Sequence, residues 1–392
     1  MVYLNQLGMV SPLGSKRDEI SRRLLDLAQT GLVITDTYSP GHPLTVGQVD
    51  TALPSLEAMA LRDRSRNNQL VLAALAEIRP AVDAAIDRYG SDRIGVVLGT
   101  STSGIAEGES ALRHYAITGA LPEQFHYGQQ ELGSPAALLA AVLGIGGPAY
   151  VHSSACASSA KALASAARLI QTGLCDAVIA GGADSLCAFT LAGFKALESI
   201  SETRCNPLSR NRNGINIGEG AALFLLSTEP ATVALRGWGE SSDGYHMSAP
   251  DPDGKGARLA IERALASAGI PAAQIDYVNL HGTGTLQNDA MESRVIHTLF
   301  GAGVAVSSTK PFTGHALGAA GAMEAGLCWL AMQDENPTGK LPPHLWDGMA
   351  DPDLPVLNVV EPGSSLGWPL RYALSNSFAF GGANATLVLG RE

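Results

Sequence analysis

One cysteine of the five in the chain stands in a setting that could make its thiol a nucleophile. Cys156 lies in the segment SSACASS, after an apolar strand pattern and before a helical run of small residues. A thiol at the start of a helix lies near the positive end of the helix dipole and near free N–H groups, and both favour the thiolate. An inert buried cysteine is the alternative, and Cys156 alone does not decide between the two.

Two histidines occupy similar Gly- and Thr-rich junctions later in the chain. His281 lies in NLHGTGT, directly after the predicted strand Tyr277–Leu280, and His315 lies in TGHALG before a predicted helix. Folds of the α/β class place reactive groups at the carboxyl ends of buried strands. Thr283 and Thr285 add hydroxyl groups for a polar ligand. A single loop histidine is more often structural, but two in matching junctions indicate a shared site.

A thiol and two imidazoles suit one reaction in particular. Loss of CO2 from a malonyl thioester creates an enolate oxygen, which needs hydrogen-bond donors. Neutral imidazoles of His281 and His315 in a dry pocket could each donate one N–H. The carbanion would then attack an acyl thioester on Cys156, and backbone N–H groups would hold the oxyanion that results.

Two charged residues flank the second histidine. Lys310 precedes His315 by five residues and could set its electrostatics, while Glu324 interrupts the otherwise apolar helix pattern AAGAMEAG. An unpaired buried carboxylate is costly, so Glu324 is expected to have a partner, and Lys310 is the candidate. The alternative is an ordinary surface lysine and a solvated glutamate.

A third Gly-rich turn, SNSFAFGGAN, lies near the C-terminus. Phe378 and Phe380 in this turn could gate a pocket. The alternative is two core phenylalanines beside a turn.

Composition excludes several classes of protein. The net charge of −11 argues against nucleic acid as the main partner, and the odd number of cysteines shows no zinc or redox spacing. The uncharged run Leu132–Ala160 is broken by prolines and glycines, which predicts buried helix, turn and strand rather than a membrane span. Met1–Gly14 has no basic region typical of a secretory signal. These features predict a cytoplasmic protein.

The chemistry-bearing segments must be positioned by alternating strands and helices. The predicted strands are Val2–Val10, Arg93–Leu98, Pro148–Val151, Asp176–Ala180 (ended by Gly181 and Gly182), Gly220–Ser227, Tyr277–Leu280, Val304–Ser307 and Ala385–Leu389. The predicted helices are Leu24–Ile34, Asn67–Tyr89, one ending at Gln171, Arg258–Ala268, Asp289–Phe300 and Ala316–Met332. Apolar strands between helices indicate an α/β fold with fully buried strands. The segments NIGEGAALFLL and AFGGANATLVL hint at an internal duplication.

Taken together, the motifs resemble those of the elongating β-ketoacyl-(acyl carrier protein) synthases, which are thiolase-fold condensing enzymes. The segments ACAS, HGTGT, KxxxGHxxGAAG and NSFxFGGxN stand in the family's order, and the resemblance covers nearly the whole chain. It implies a five-layer αβαβα thiolase fold built from two similar halves, each with a five-stranded sheet. Residues 1–232 would carry the nucleophile and residues 233–392 both histidines.

The resemblance also implies roles for residues already singled out. Cys156 would accept the acyl group, and His281 and His315 would assist decarboxylation. Lys310 and Glu324 would support His315, and Thr283 and Thr285 would bind the phosphopantetheine arm. Phe380, beside Phe378, would act as the gate. The N–H groups of Cys156 and Phe380 would form the oxyanion hole.

Partners and cofactors follow from the same resemblance. It implies an acyl carrier protein that delivers phosphopantetheine, no cofactor of the enzyme's own, and a homodimer or a heterodimer with a chain-length-factor-like homologue. The chain is short for the family, Leu24–Leu61 fits poorly and Ile117–Gly147 is trimmed, so acyl length stays open. Arg64–Glu109 looks like the synthases of bacterial aryl polyene clusters.

Five alternatives deserve comparison with this interpretation. A non-catalytic chain length factor would lack Cys156, an initiating synthase would use Cys-His-Asn, and a degradative thiolase would need a cysteine in the turn Phe380–Asn384. A serine acylase rests only on the common pattern Ser158-x-x-Lys161. A Cys/His/His zinc site is conceivable, but the scattered ligands give no spacing signal, and no metal is expected.

Overall fold

A continuous sheet of eleven strands runs through the computed structural model, which describes residues Met1–Glu392. The chain has thirteen strands in all: β1 (Val2–Val10), β2 (Leu32–Thr35), β3 (Leu44–Gly47), β4 (Ile94–Gly99), β5 (Ala149–His152), β6 (Ala177–Asp184), β7 (Gly220–Ser227), β8 (Val233–Ser242), β9 (Tyr277–Asn279), β10 (Ala305–Ser307), β11 (Asn358–Val359), β12 (Tyr372–Phe378) and β13 (Ala383–Arg391). The order across the sheet is β11-β10-β9-β12-β13-β8-β1-β7-β6-β4-β5, and β2 and β3 form a separate pair.

Ten α-helices cover and separate the strands. They are α1 (Arg17–Ser21), α2 (Arg66–Tyr89), α3 (Ile105–Thr118), α4 (Ser134–Leu143), α5 (Ser158–Gln171), α6 (Ala188–Ala196), α7 (Lys255–Ala268), α8 (Leu286–Phe300), α9 (Lys310–Thr313) and α10 (Ala320–Ala331). None of them is long and apolar enough to cross a membrane.

The sheet consists of two halves with the same pairing pattern. In the first half β4 pairs in parallel with β5 and β6, and β7 pairs antiparallel with β6 and β1. In the second half β9 pairs in parallel with β10 and β12, and β13 pairs antiparallel with β12 and β8. The second half has six strands rather than five, because the short β11 adds an edge to β10.

The two halves join where β1 pairs with β8, through Val2 with Leu235 and Tyr3 with Ala234. Helices α5 and α10 pack on each other between the two halves, while α2 and α4 cover the first half and α7 and α8 cover the second. This gives the layer order αβαβα.

The middle layer depends on small side chains. Every residue of α10 is buried, and a Cβ atom on Gly321 would lie 2.9 Å from Cβ of Ala160 in α5. At the end of β4, a Cβ atom on Gly99 would lie 2.3 Å from the backbone nitrogen of Ser159. The abundant glycine and alanine of this chain therefore set how closely the central helices and strands approach.

Several sequence predictions hold, and others need correction. The bounds of β1 and β7 match the predicted strands, whereas β6 continues through Gly181 and Gly182 to Asp184 because its pairing with β7 continues that far. The helix predicted at Leu24–Ile34 is wrong. One π-helical turn ends at Asp26, and the chain then passes Gly31, where a Cβ atom would lie 2.4 Å from the carbonyl oxygen of Pro12, into β2. Neither β8 nor β12 was predicted, since the segment of β12 resembled a Gly-rich turn.

Gly99→Ala is expected to lower the free energy of unfolding by about 1–3 kcal/mol, because the new methyl group would overlap the backbone of α5. Urea denaturation followed by circular dichroism measures the change. Gly193→Ala is the matched control, since Gly193 lies inside α6 with open space at its Cβ position, so this variant should be at least as stable as wild type. Equal loss of stability in both variants would contradict the close-packing argument.

Candidate active site

The Cys156 thiol sits on a tight turn between β5 and α5. The turn requires Ala155 to adopt a left-handed conformation with φ +48°, which costs an alanine about 1–2 kcal/mol. The hydroxyl of Ser158 holds it closed, accepting from the N–H of Ser154 at 2.8 Å and donating to the carbonyl of Ala155 at 2.6 Å. The thiol is buried, with only 5% of the residue exposed.

The imidazole of His315 lies within hydrogen-bond distance of the thiol. Its Nε2 lies 3.0 Å from Sγ of Cys156. The backbone of His315 is fixed on both sides, because its N–H donates to the carbonyl of Asn216 at 2.7 Å and its carbonyl accepts from the N–H of Gly218 at 2.9 Å. These bonds tie the His315 loop to the segment that leads into β7.

His281 completes a three-residue cluster. Its ring centroid lies 5.4 Å from that of His315, with the rings nearly perpendicular at 83°. One nitrogen of each ring and the sulfur of Cys156 all lie within 4.8 Å of one another. The structure thus brings together three residues that are widely separated in the sequence. They are the Cys/His/His set for which the sequence spacing gave no indication of a metal site.

Lys310 and Glu324 form a buried ion pair beside this cluster. The Lys310 Nζ atom lies 2.5 Å from Oε1 of Glu324, so the expected partner of the carboxylate is present. Lys310 also donates to the carbonyl of His281, and its Nζ lies 3.4 Å from Nδ1 of the same residue. The sequence interpretation linked Lys310 to the electrostatics of His315, and the ammonium does lower the pKa of His315, but the histidine that it hydrogen-bonds is His281.

Burial controls the ionisation of the thiol. It raises the pKa of Cys156 to about 11, although the Lys310 ammonium and the backbone N–H groups of Phe380 and Cys156 lower it. Desolvation therefore outweighs the stabilisation of the thiolate that was expected from the start of the helix. The resting thiol is protonated at neutral pH.

Both imidazoles are neutral at neutral pH. Burial, reinforced by the Lys310 ammonium, lowers the pKa of His281 and of His315 well below the usual histidine value. Each ring therefore carries a single N–H, the form that can donate one hydrogen bond and accept another.

A cavity of about 290 Å³ opens onto the cluster. All the predicted ligand-binding residues line it, namely Thr283, Thr285, Phe378 and Phe380. The hydroxyl oxygens of Thr283 and Thr285 lie 2.9 Å apart. The Phe378 ring is buried and lies 6.2 Å from the ring of His281, whereas the partly exposed Phe380 ring lies 5.4 Å from the ring of Phe194, which the sequence did not single out.

Two buried carboxylates that the sequence interpretation missed hold the loops of the site. Glu292 accepts from the N–H groups of His281 at 2.8 Å and Gly282 at 2.7 Å. Asp184 accepts from the hydroxyls of Thr100 and Thr102 and from the N–H of Gly318, three residues after His315. The sequence does contain an indication for Asp184, because a carboxylate in the apolar segment AVIAGGAD requires buried partners, just as Glu324 does in its apolar helix.

Comparison with known proteins agrees with this geometry. Residues 11–231 match the family model described as beta-ketoacyl synthase, N-terminal domain, and residues 232–345 match the corresponding C-terminal domain. The chain belongs to the β-ketoacyl synthase family. The chain is 33% identical over 402 residues to nodulation protein E of Rhizobium meliloti (strain 1021), covering 99% of this chain and 98% of the relative. It is 31% identical over 414 residues to 3-oxoacyl-[acyl-carrier-protein] synthase 2 of Vibrio harveyi, covering 99% and 97%.

A solved structure confirms the fold of this β-ketoacyl synthase. One chain of a ketosynthase in complex with its chain length factor, from Xenorhabdus doucetiae, is 47% identical and gives a TM-score of 0.93, covering 100% of this chain and 98% of that chain. The thiolase fold expected from the motifs is therefore confirmed, and the synthase is a condensing enzyme of the acyltransferase class.

Lys310→Met is expected to lower the free energy of unfolding by about 3–5 kcal/mol, because it leaves the Glu324 carboxylate buried without its partner. The double variant Lys310→Met with Glu324→Leu should regain most of this loss, since an apolar pair needs no compensation. Urea denaturation of the three proteins measures both effects. A double variant no more stable than the single one would contradict a buried, coupled pair.

Alkylation of Cys156 by iodoacetamide should accelerate about tenfold per pH unit across the neutral and mildly alkaline range, because only the thiolate reacts and the pKa is raised to about 11. Mass spectrometry of the labelled peptide measures the rate. Lys310→Met should move the profile to higher pH, since the ammonium is one of the groups that lower this pKa. A plateau below pH 8 would show that the start of α5 outweighs burial.

Proposed function

We propose that this synthase condenses a malonyl-(acyl carrier protein) with an acyl group held as a thioester on Cys156, giving a β-ketoacyl-(acyl carrier protein). The observation that carries the proposal is the buried cluster in which the sulfur of Cys156 and one nitrogen each of His281 and His315 lie within 4.8 Å. A nucleophile and two hydrogen-bond donors at that spacing fit both halves of the reaction.

In the first half-reaction the Cys156 sulfur attacks the carbonyl carbon of the incoming acyl thioester. The bond to the phosphopantetheine sulfur breaks, and that thiol leaves with the proton that Cys156 gives up. His315 lies within hydrogen-bond reach of the thiol and is the group through which this proton would pass. The backbone N–H groups of Phe380 and Cys156 lower the pKa of the Cys156 thiol, so they stabilise negative charge at this point. This supports their role as the oxyanion hole.

In the second half-reaction the malonyl group loses CO2, and the electron pair of the broken C–C bond forms an enolate. Neutral His281 and His315 would each donate an N–H to the enolate oxygen, a bond that strengthens as negative charge develops. The carbanion then attacks the acyl carbonyl on Cys156, and the thiolate leaves and takes up a proton.

The remaining predicted residues have supporting roles in this proposal. The ammonium of Lys310, balanced by Glu324, orients His281 through its backbone carbonyl and adds to the effect of burial, which keeps both imidazoles neutral. Thr283 and Thr285 would hydrogen-bond the phosphopantetheine arm, which arrives on the carrier protein, so the enzyme needs no cofactor of its own. Phe380, beside buried Phe378, would act as the gate.

The names of the relatives support the partners in this proposal. One relative is named 3-oxoacyl-[acyl-carrier-protein] synthase 2, a name that includes the carrier protein. The similar solved structure is a complex of a ketosynthase with its chain length factor. We propose the same partners here, with a homodimer as the other possible assembly. The aryl polyene pathway, a cytoplasmic location and the division into residues 1–232 and 233–392 stay predictions.

A second candidate function is that of a non-catalytic chain length factor, because the similar solved complex contains one. The presence of Cys156, His281 and His315 in one cluster favours the catalytic subunit. Acylation of the wild-type protein by an acyl-(acyl carrier protein) separates the two.

Wild-type enzyme offered acyl-(acyl carrier protein) is expected to gain one acyl group on Cys156, and to release a β-ketoacyl product when malonyl-(acyl carrier protein) is added. Cys156→Ala should form no acyl-enzyme and lose essentially all condensation, because no other thiol lines the cavity. Mass spectrometry of intact protein and of the carrier proteins measures both.

Cys175→Ala is the matched control, since Cys175 precedes β6 at the end remote from the site, and it should behave as wild type. Equal condensation by wild type and Cys156→Ala would sink the mechanism. No acyl-enzyme in wild type, with every carrier-bound acyl length tried, would favour the chain length factor.

A further inference from the structure

We infer that Cys156, His281 and His315 also form a binding site for a thiophilic divalent ion, Zn²⁺ above all, whose occupancy reversibly blocks the enzyme. The metal site itself rests on geometry alone. The consequence that its occupancy inhibits condensation rests on the proposed function.

The donor atoms are nearly at the spacing that a metal requires. Zinc binds thiolate at about 2.3 Å and imidazole at about 2.0–2.1 Å in a tetrahedral arrangement, which separates neighbouring donor atoms by about 3.3–3.6 Å. Nε2 of His315 lies 3.0 Å from Sγ of Cys156, and the three donor atoms all lie within 4.8 Å. Adjustments of about 1.5 Å or less, within the range of side-chain rotation, therefore suffice.

The donors are of the right chemical kind. One thiolate and two neutral imidazoles form the ligand type typical of zinc and unlike the all-oxygen sets of Mg²⁺ and Ca²⁺. On binding, the Cys156 thiol releases its proton to solvent, a metal–sulfur and two metal–nitrogen bonds form, and the hydrated ion loses water molecules in exchange. Nothing is oxidised or reduced.

A fourth coordination position is available. The cavity of about 290 Å³ meets all three donors, so a water molecule or a substrate oxygen can complete the tetrahedron. Three protein ligands with one open position is the arrangement of catalytic rather than structural zinc sites. The open position also lets a chelator such as EDTA reach the ion, which suits reversible occupancy.

The charge nearest to the cluster limits the affinity. The ammonium of Lys310 lies 3.4 Å from Nδ1 of His281, on the side of the ring that faces away from an ion bound through Nε2. Glu324 is paired with this ammonium and offsets most of its repulsion. The same sulfur cannot bind a metal and carry an acyl group, so the acyl-enzyme is protected.

Titration with Co²⁺ tests the site directly, since a cobalt–thiolate bond gives a near-ultraviolet charge-transfer absorption and tetrahedral cobalt gives intense visible bands. Chelator-treated wild-type protein should bind one Co²⁺ with both features, and Zn²⁺ should bleach them. Cys156→Ala should lose the charge-transfer band, while His281→Ala and His315→Ala should each weaken binding by more than about tenfold. Cys175→Ala is the control and should match wild type.

Circular dichroism verifies that each variant is folded, and wild type alkylated at Cys156 by iodoacetamide serves as a second thiol-blocked sample that needs no mutation. Absence of the charge-transfer band in wild type, or its persistence in Cys156→Ala and in alkylated wild type, would overturn the inference.

The activity arm adds Zn²⁺ before or after the acyl-(acyl carrier protein). Addition before should prevent acyl-enzyme formation, EDTA should restore it, and millimolar Mg²⁺ should have no effect. Acyl-enzyme that forms equally well at saturating Co²⁺ or Zn²⁺ would also overturn the inference. Cobalt binding in a protein that never forms an acyl-enzyme would instead refute the proposed function and leave the metal site standing.

Discussion

The contact between α5 and α10 is the constraint on which the rest of the structure depends. Cys156 precedes one of these helices and His315 precedes the other, so the 3.0 Å between their reacting atoms is set by how the helices pack. Small residues bring them close, and the N–H of Ala322 donates to the hydroxyl of Ser159 across the contact at 2.9 Å. A larger side chain at this contact would move the nucleophile away from its imidazole.

The duplicated pairing pattern explains why the site lies at this contact. Strand β5 in the first half corresponds to β10 in the second, and β4 corresponds to β9. The segments after β5 and β10 carry Cys156 and Lys310, and the segment after β9 carries His281. Equivalent strand ends of two similar halves therefore face one another, and one of them supplies the thiol while the other supplies the imidazoles and the ammonium.

Much of the fold and the cluster could be predicted from the sequence, because Cys156 and His281 closely follow the predicted strands β5 and β9, and glycine and threonine flank both His281 and His315. The burial of Glu324 in an apolar helix also predicted its partner. Contacts that depend on three-dimensional proximity could not be predicted: the hydrogen bonds of Lys310 to His281, and the support of loops by Asp184 from another strand. The sequence predicts a lowered pKa for Cys156, because the start of a helix can be recognised from neighbouring residues. The desolvation that raises this pKa depends on residues throughout the core, which the local sequence does not show.

The pairing of β1 has a consequence for how the protein is made. This strand leaves the ribosome well before its partners, which are β7, where Tyr3 faces Ser227, and β8, where Val2 faces Leu235. The backbone of β1 therefore stays without its sheet partners until most of the first half and the start of the second half have been synthesised. During that interval the nascent chain exposes an unpaired apolar strand, a state that favours aggregation.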